Sequence, residues 1–254
     1  MTDRPTEHQM VVARRALEEE CARREHLVVA LTGAHAYGFA SVDSDLDLKA
    51  VHVDPIDAFL GFGGGGSTAD RLEIIDGVEI DYTSNEVGSA LRGVLKGNGN
   101  MIERLMDPEP LIAHEALSSL RPLIEKNLSR RLHRHYRGFA HNQRQAIGDP
   151  PRVKKVLYVL RTALTGAHAL TTGEVVPDLS AVCDRYGFSQ AHDLIAHKRA
   201  AEGGVLPPGT EVQDLLDRAF ACLDQALADS ILPDAPAAPG DLERWLIDHR
   251  RSQG

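Results

Sequence analysis

Two aspartates spaced one residue apart have side chains that could hold a divalent cation. Asp45 and Asp47 flank Leu46 at the start of an apolar run over residues 46–53. Alternate side chains of a β-strand leave the same face, so both carboxylates would point to one side. Magnesium prefers oxygen ligands and usually shares its shell between a few carboxylates and substrate phosphates. The pair therefore suits a metal–nucleotide site, although an Asp-x-Asp sequence alone more often marks a solvated strand edge.

A glycine turn precedes this pair. Residues 27–31 form an apolar run that predicts a buried strand, and Gly33 follows it directly after one threonine. Because glycine has no side chain, the backbone there can come close to a polyphosphate. A turn for phosphate followed by two acids for metal is typical of nucleotidyl-transfer chemistry.

A further acid is available on a later strand. After an Asp-Gly turn, residues 78–82 read Val-Glu-Ile-Asp-Tyr. Glu79 and Asp81 share one face of this predicted strand, and apolar residues share the other. Either acid could complete a metal site, and both could equally be the solvated face of an antiparallel strand.

These patterns together resemble a known superfamily. The sequence Gly-x-His-Ala-Tyr-Gly at residues 33–38, with Ser-Asp-x-Asp at residues 44–47, resembles the signature of the DNA-polymerase-beta-like nucleotidyltransferases. Later blocks at residues 95–105, 154–161 and 170–174 are similar to the RNA-repair-pathway-associated (RlaP-like) branch of that superfamily. The resemblance implies metal-dependent transfer of a nucleoside monophosphate from an NTP to an acceptor hydroxyl, an activity of the EC 2.7.7 type.

The resemblance also implies roles for individual residues. Asp45, Asp47 and Asp81 would be the catalytic and metal-binding acids, with Glu79 as the fallback for the third. They would hold two magnesium ions, with manganese as an alternative, and Asp81 would also accept or orient the acceptor's proton. The nucleotide would contact residues of the glycine turn, the serine before the acids and one later helix, namely Gly33, Ala34, Ser44, Lys154, Tyr158 and Arg161.

Position 34 departs from the superfamily. Its members usually have Ser or a second Gly there, and the Ser hydroxyl helps to hold the triphosphate, whereas this chain has Ala34. A backbone amide can still bind phosphate. Losing one hydrogen bond to a charged group costs about 1.5 to 3 kcal/mol if nothing replaces it. Ala34 is thus the main support for an alternative, a non-catalytic relative that binds RNA, while the three retained acids favour an enzyme.

The chain is acidic overall, with a formal net charge of −9, but one segment is strongly basic. Residues 121–161 contain eleven Lys or Arg and two acids, interleaved with His, Tyr and Phe. Cations mixed with stacking groups are typical of proteins that grip single strands. We therefore expect RNA or tRNA as the acceptor, held by Arg130, Arg131 and Arg134. The alternatives are a basic surface paired to acids elsewhere in the chain, and a protein or small-molecule hydroxyl as the acceptor.

The remaining composition argues against several other classes. Cys21, Cys183 and Cys222 lack ligand spacing, so we expect reduced thiols, not a zinc site or a disulfide framework. No segment reaches the roughly eighteen apolar residues of a membrane span, and no signal-peptide core follows Met1. We expect a cytoplasmic protein with no membrane partner, and the sequence does not indicate its oligomeric state.

The hydrophobic periodicity predicts an α+β fold, with a small mixed-sheet nucleotidyltransferase core at residues 1–111 and an all-helical domain at 112–254. The second domain contains the basic segment 121–161 and a terminal helix at 240–251. We expect the active site in the cleft between the two domains. Predicted strands lie near 27–32, 46–53, 71–75 and 78–83, with a glycine-rich loop at 59–67. Predicted helices lie near 7–25, 85–97, 113–147 with a break, 152–170, 178–186, 189–202 and 210–229.

Overall fold

The computed structural model describes residues 4–42, 44–60, 62, 64–200, 204–206 and 211–252. These residues form two compact units. The sheet unit comprises residues 4–33, 42–127 and 236–252, and the helical unit comprises residues 34–41 and 128–235. The polypeptide therefore leaves the sheet unit after Gly33, contributes residues 34–41 to the helical unit and returns to the sheet unit at residue 42.

The sheet unit is built on a mixed β-sheet. Its described strands are β1 (Glu25–Leu31), β2 (Leu46–Val53), β3 (Thr68–Ile75), β4 (Val78–Glu86) and β5 (Ile112–Ala113). They lie in the order β3-β4-β2-β1-β5. The central neighbours β2 and β4 are parallel, while the other neighbouring pairs are antiparallel.

One face of this sheet forms the core against the first helix. A capping box starts that helix, because the Thr6 hydroxyl accepts from the Gln9 amide and the Gln9 side chain accepts from the Thr6 amide. Leu48 and Ile80 are fully buried on the core face. The helices of the sheet unit are α1 (Glu7–Cys21), α3 (Asp57–Leu60), α4 (Val87–Leu95), α5 (Gly99–Met106), α6 (Leu117–Lys126) and α12 (Pro239–Ser252), and α2 (Gly33–Ala36) begins at its border.

The helical unit is organised around one buried helix. Its described helices are α7 (Leu132–Gln145), α8 (Val153–Thr172), α9 (Leu179–Val182), α10 (Gln190–Ala200) and α11 (Val212–Ala228), with a 3₁₀ turn at Asp184–Tyr186. Helix α8 is buried along most of its length and packs against α7 and α11. Gly166 permits this packing, because a Cβ there would lie 2.6 Å from the Tyr136 Cβ.

The predicted α+β class is confirmed, and several element predictions need correction. The two-residue strand β5 and the helices α2, α3 and α5 were not predicted. The predicted broken helix at 113–147 is two helices, α6 and α7, and the predicted helix at 178–186 is α9 followed by the 3₁₀ turn. Parts of three predicted elements lie outside the described residues, namely 61 and 63 of the glycine-rich loop, 201–202 and 210. The predicted domain limit at residue 111 differs from the grouping into units, which joins 112–127 and 236–252 to the sheet, and it stays a prediction.

Candidate active site

Two of the predicted acids are direct neighbours across parallel strands. Asp47 of β2 pairs with Asp81 of β4 in the strand register. Side chains alternate along a strand, and the buried residues Leu48 and Ile80 occupy the core face. Asp47 and Asp81 therefore share the opposite face, where their side chains are 19% and 41% exposed. The fold places two carboxylates side by side where solvent can reach them.

A lysine lies between the two carboxylates. Lys49 Nζ is 2.6 Å from Asp81 Oδ1 and 3.9 Å from Asp47 Oδ1. It also donates to the Asp81 carbonyl at 3.2 Å and lies 3.4 Å from the Thr83 hydroxyl. Its side chain is only 16% exposed. The oxygen atoms of Asp47 and Asp81 therefore already bind one cation, the Lys49 ammonium group. The sequence reasoning did not identify Lys49, although its place two residues after Asp47 puts it on the same strand face.

The glycine turn lies against the same acids. Gly33 has a φ of +66°, which L side chains rarely adopt, and a Cβ there would lie 1.8 Å from Asp47 Oδ2. The turn is tied to β2 because the Thr32 amide donates to the Asp47 carbonyl at 2.8 Å. Only a glycine leaves this space beside the carboxylate open.

The other predicted residues of the sheet unit lie close by in sequence. Asp45, half-buried, stands one residue before β2 begins. The Ser44 carbonyl accepts from Gln9 Nε2 at 2.9 Å, which fixes the entry to the strand. Glu79, the fallback acid, is exposed and pairs with Ile74 of β3. Glu79 therefore lies on the same strand face as Asp81, two residues before it on β4.

A neutral pair supports β4 from its core face. The Tyr82 hydroxyl lies 2.6 Å from His26 Nε2. Burial lowers the pKa of His26 to about 4 and raises the pKa of Tyr82. Both groups are consequently uncharged near neutral pH, so they hold the strand in place without adding charge behind Asp81.

In the helical unit, the segment after the glycine turn packs on α8. The Arg161 guanidinium lies 3.6 Å from the centre of the Tyr37 ring, and Arg161 is only 2% exposed. Tyr158 meets both Tyr37 and Phe39 edge-on, at centroid distances of 5.8 and 5.3 Å. The structure thus brings Tyr158 and Arg161 together against this segment. Lys154 is exposed on α8, and Ala34 is buried.

Much of the predicted acceptor surface forms ion pairs within the helical unit. Arg130, the first of the three predicted acceptor residues, donates to the Ser230 carbonyl at 3.1 Å. Arg131 and Arg134, the other two predicted acceptor residues, are exposed. Ion pairs join Arg130 to Asp234 at 3.1 Å, Arg137 to Asp224 at 2.8 Å and Arg144 to Asp217 at 2.7 Å, and His133 Nε2 lies 2.8 Å from Asp224 Oδ1. The acids along α11 indicate in the sequence that the basic residues could be paired, but only the fold shows which cations these acids contact.

The family of the chain follows from a match over nearly its whole length. Residues 11–248 match the family described as the RNA repair pathway DNA polymerase beta family. The chain belongs to this family, and the resemblance drawn from its motifs is confirmed. Among the helices of the described residues, none has the length and apolar character required to cross a membrane.

Individual proteins show weaker likenesses. An uncharacterized protein of Methanocaldococcus jannaschii is 26% identical over 161 residues, which are 61% of this chain and 64% of that protein. The match therefore spans slightly less than two thirds of the relative. The structure of a nucleotidyltransferase-like protein from Exiguobacterium sibiricum aligns over 94% of this chain and 78% of its own, at 13% identity and a TM-score of 0.34. That score is too low to support a functional argument.

Proposed function

We propose that the chain is a metal-dependent nucleotidyltransferase that moves a nucleoside monophosphate from an NTP to a hydroxyl group of RNA. The observation that carries this proposal is the neighbouring pair Asp47 and Asp81, which already surrounds the Lys49 ammonium group. The description of the family, which names both a polymerase beta relationship and an RNA repair pathway, supports the reaction class and the acceptor.

The residues present fit divalent cations. Neighbouring strands lie about 4.8 Å apart, so side chains at paired positions can share a cation. The 1.8 Å distance from a Cβ at Gly33 to Asp47 Oδ2 shows that the glycine keeps space beside the carboxylate. Asp45, two residues before Asp47, offers further oxygen ligands. When bound, magnesium ions would stabilise the charge on both the entering and the leaving oxygens.

The side chains then have distinct tasks in the transfer. The acceptor oxygen attacks the α-phosphorus, the bond from that phosphorus to the bridging oxygen breaks, and pyrophosphate leaves. Asp81, the more exposed member of the pair, accepts or orients the proton of the attacking hydroxyl. Asp45 and Asp47 would hold the magnesium ions, and Gly33 with the Ala34 amide holds the outer phosphates. The catalysis is mainly positional and electrostatic.

Residues of the helical unit have two proposed roles toward the nucleotide. Lys154 is exposed and can contact phosphate oxygens directly. Arg161 is buried against Tyr37, so its proposed effect on the nucleotide passes through the segment that follows the glycine turn. Tyr158, half-buried on the same helix, supports this segment by edge-on ring contacts.

The ion pairs of the basic segment support a second candidate for the acceptor, a hydroxyl group of a protein. Arg131 and Arg134 are exposed and can meet an RNA backbone. Arg130 is joined to Asp234 and to the Ser230 carbonyl. Because several cations of the basic segment are paired to acids in the same unit, a protein hydroxyl is the second candidate acceptor. Both candidates use the same carboxylate site.

The decisive experiment incubates the protein with each labelled NTP, magnesium, and either total RNA or total protein. We expect label in the RNA fraction and release of one pyrophosphate per transfer. Asp47→Asn and Asp81→Asn should each lower the rate by about 100-fold or more, because each removes a charge at the reacting centre. Glu115→Gln, which changes an exposed carboxylate outside the site, should leave the rate unchanged.

Each alternative has its own outcome in this experiment. Activity within a few-fold of wild type in Asp47→Asn would overturn the assignment of the site. Label in the protein fraction alone would replace RNA by the second candidate acceptor. If Glu79→Gln loses transfer while Asp81→Asn retains it, the third acid is Glu79.

A further inference from the structure

Three potential metal ligands converge in the helical unit. His192 Nε2 lies 3.3 Å from Cys183 Sγ and 3.1 Å from Asp184 Oδ2, and Cys183 Sγ lies 4.0 Å from Asp184 Oδ1. One ligand atom from each residue lies within 4.8 Å of the other two. Cys183 is buried, whereas Asp184 and His192 are exposed. The cluster therefore has a closed side and a side open to solvent.

The local backbone fixes this arrangement. Cys183 ends α9, and its carbonyl accepts from the Phe188 amide at 2.9 Å. The 3₁₀ turn ends at Gly187, whose φ of +77° is rarely adopted by residues with a side chain. The chain then enters α10, which begins at residue 190 and carries His192 in its first turn. The ligand positions thus come from hydrogen-bonded turns.

The geometry argues against a catalytic Cys–His–Asp triad. In such a triad one imidazole nitrogen faces the nucleophile and the other faces the acid. Here the same atom, His192 Nε2, faces both Cys183 and Asp184. Three ligand atoms directed at one another suit a shared cation better than a proton relay.

We propose that Cys183, Asp184 and His192 bind one zinc ion. Bonds of about 2.0 to 2.3 Å at tetrahedral angles separate zinc ligands by about 3.4 to 3.6 Å, and the observed distances lie on either side of this range. Thiolate and imidazole favour zinc over magnesium. Because Asp184 and His192 are exposed, a fourth ligand could come from solvent water. This site is separate from the carboxylates and does not rest on the proposed function.

A zinc ion here would strengthen the support of the segment that follows the glycine turn. From α9, the Leu179 amide donates to the Tyr37 carbonyl at 3.1 Å. From α10, Lys198 Nζ donates to the Ser41 hydroxyl at 3.0 Å. Because the ion joins the end of α9 to the start of α10, it would tie together the two elements that hold residues 34–41.

Cobalt binding tests this site directly. Metal-free, reduced protein is titrated with Co²⁺ while its absorption spectrum is recorded. We expect one equivalent to give a thiolate-to-cobalt charge-transfer band and the visible bands of a tetrahedral ion, and one equivalent of zinc to abolish both. Cys183→Ser should lose the charge-transfer band. His192→Gln, at an exposed position, should weaken binding by at least about tenfold, a change of about 1.4 kcal/mol.

Two control variants separate this cluster from the other thiols. Cys21→Ser removes the thiol that lies 3.6 Å from His26 Nδ1, and Cys222→Ser removes the remaining one. Both should retain the cobalt spectrum and the stoichiometry. Absence of the charge-transfer band in wild type, its loss in Cys21→Ser, or wild-type affinity in His192→Gln would overturn the proposal. The cobalt titrations are carried out without NTP or RNA, so a failure to bind cobalt at this cluster would leave the proposed nucleotidyl transfer unaffected.

Discussion

At the scale of single residues, Lys49 sets the charge around the carboxylate pair. Asp47 and Asp81 are paired neighbours on adjacent strands, and two negative charges side by side repel each other. The Lys49 ammonium, 2.6 Å from Asp81 and 3.9 Å from Asp47, offsets this repulsion when no metal is bound. A divalent cation at the same oxygens must displace it. Lys49 should therefore stabilise the metal-free protein and compete with the metal.

Replacing Lys49 by Met should change stability and metal affinity in opposite directions. Without metal we expect a loss of about 1.5 kcal/mol, at the low end for a charged hydrogen bond because Asp81 is 41% exposed. Magnesium affinity should rise by about tenfold, since the competing cation is gone. Urea unfolding with and without magnesium measures the first effect, and calorimetric titration measures the second.

The exposed Lys96 supplies the matched control for this experiment. Lys96→Met removes the same charge from the chain but leaves the carboxylate pair unchanged, so both measured quantities should stay at their wild-type values. Weaker magnesium binding in Lys49→Met would mean that Lys49 assists the metal site and does not compete with it.

At the scale of elements, the last helix is joined to the sheet unit by a buried ion pair. Arg250 of α12 donates to Glu86, which is fully buried at the end of β4 and also caps α4 by accepting from the Ser89 amide. The Arg250 guanidinium lies 4.0 Å from the centre of the Phe59 ring. One carboxylate therefore joins a strand and two helices.

Arg250→Ala should strongly destabilise the sheet unit. The substitution leaves Glu86 buried without its cation, and breaking such a pair costs about 3 to 5 kcal/mol. Arg251→Ala, at an exposed neighbouring position, should change the free energy of unfolding by less than about 0.5 kcal/mol. Denaturant unfolding compares the two variants. Equal stabilities would mean that Glu86 becomes solvated or finds another partner when Arg250 is absent.

The same ion pair shows what the sequence could predict and what it could not. An apolar run indicated β2 and alternating apolar residues indicated β4. Their spacing predicted that Asp45 and Asp47 share one face of the first strand and that Glu79 and Asp81 share one face of the second. Contacts between distant residues carry no local signal, so the Glu86–Arg250 pair was not predicted. The pairing of basic-segment cations with acids elsewhere in the chain was an alternative, but the sequence did not show that some of these acids lie on α11. The cysteine spacing likewise gave no sign of His192 beside Cys183. Strand β5 was missed because two residues are too short to show a period.

At the scale of the whole molecule, buried histidines couple stability to pH. Burial is the largest cause that lowers the pKa of His26, His52, His168 and His249. His26 and His168 belong to different units, so both units contain such groups. Below the ordinary histidine pKa of about 6.5, the unfolded chain binds protons that the folded chain does not. Stability should therefore fall as the solution becomes acidic.

His26 defines the pH range over which stability depends on the protonation of a buried histidine. Its folded pKa of about 4 lies below the unfolded value of 6.5, so the stability present above pH 6.5 is lost progressively down to pH 4. At about 1.36 kcal/mol per pKa unit, His26 alone contributes up to about 3 kcal/mol of this loss. His26→Gln can keep a hydrogen bond to the Tyr82 hydroxyl but cannot titrate. Its free energy of unfolding should consequently vary less steeply with pH in this window than that of wild type.

Urea unfolding at a series of pH values from 7 to 4 measures the difference in slope. His141→Gln serves as the control, because His141 is exposed and its replacement should leave the slope unchanged. The variant is expected to be less stable than wild type at pH 7, where the packing of the His26 ring is lost, and to approach wild type as the pH falls. Curves for His26→Gln and wild type that stay parallel down to pH 4 would show that folded His26 binds its proton as readily as unfolded His26. The Tyr82 hydroxyl or Cys21 Sγ would then have to accept a hydrogen bond from the added N–H group.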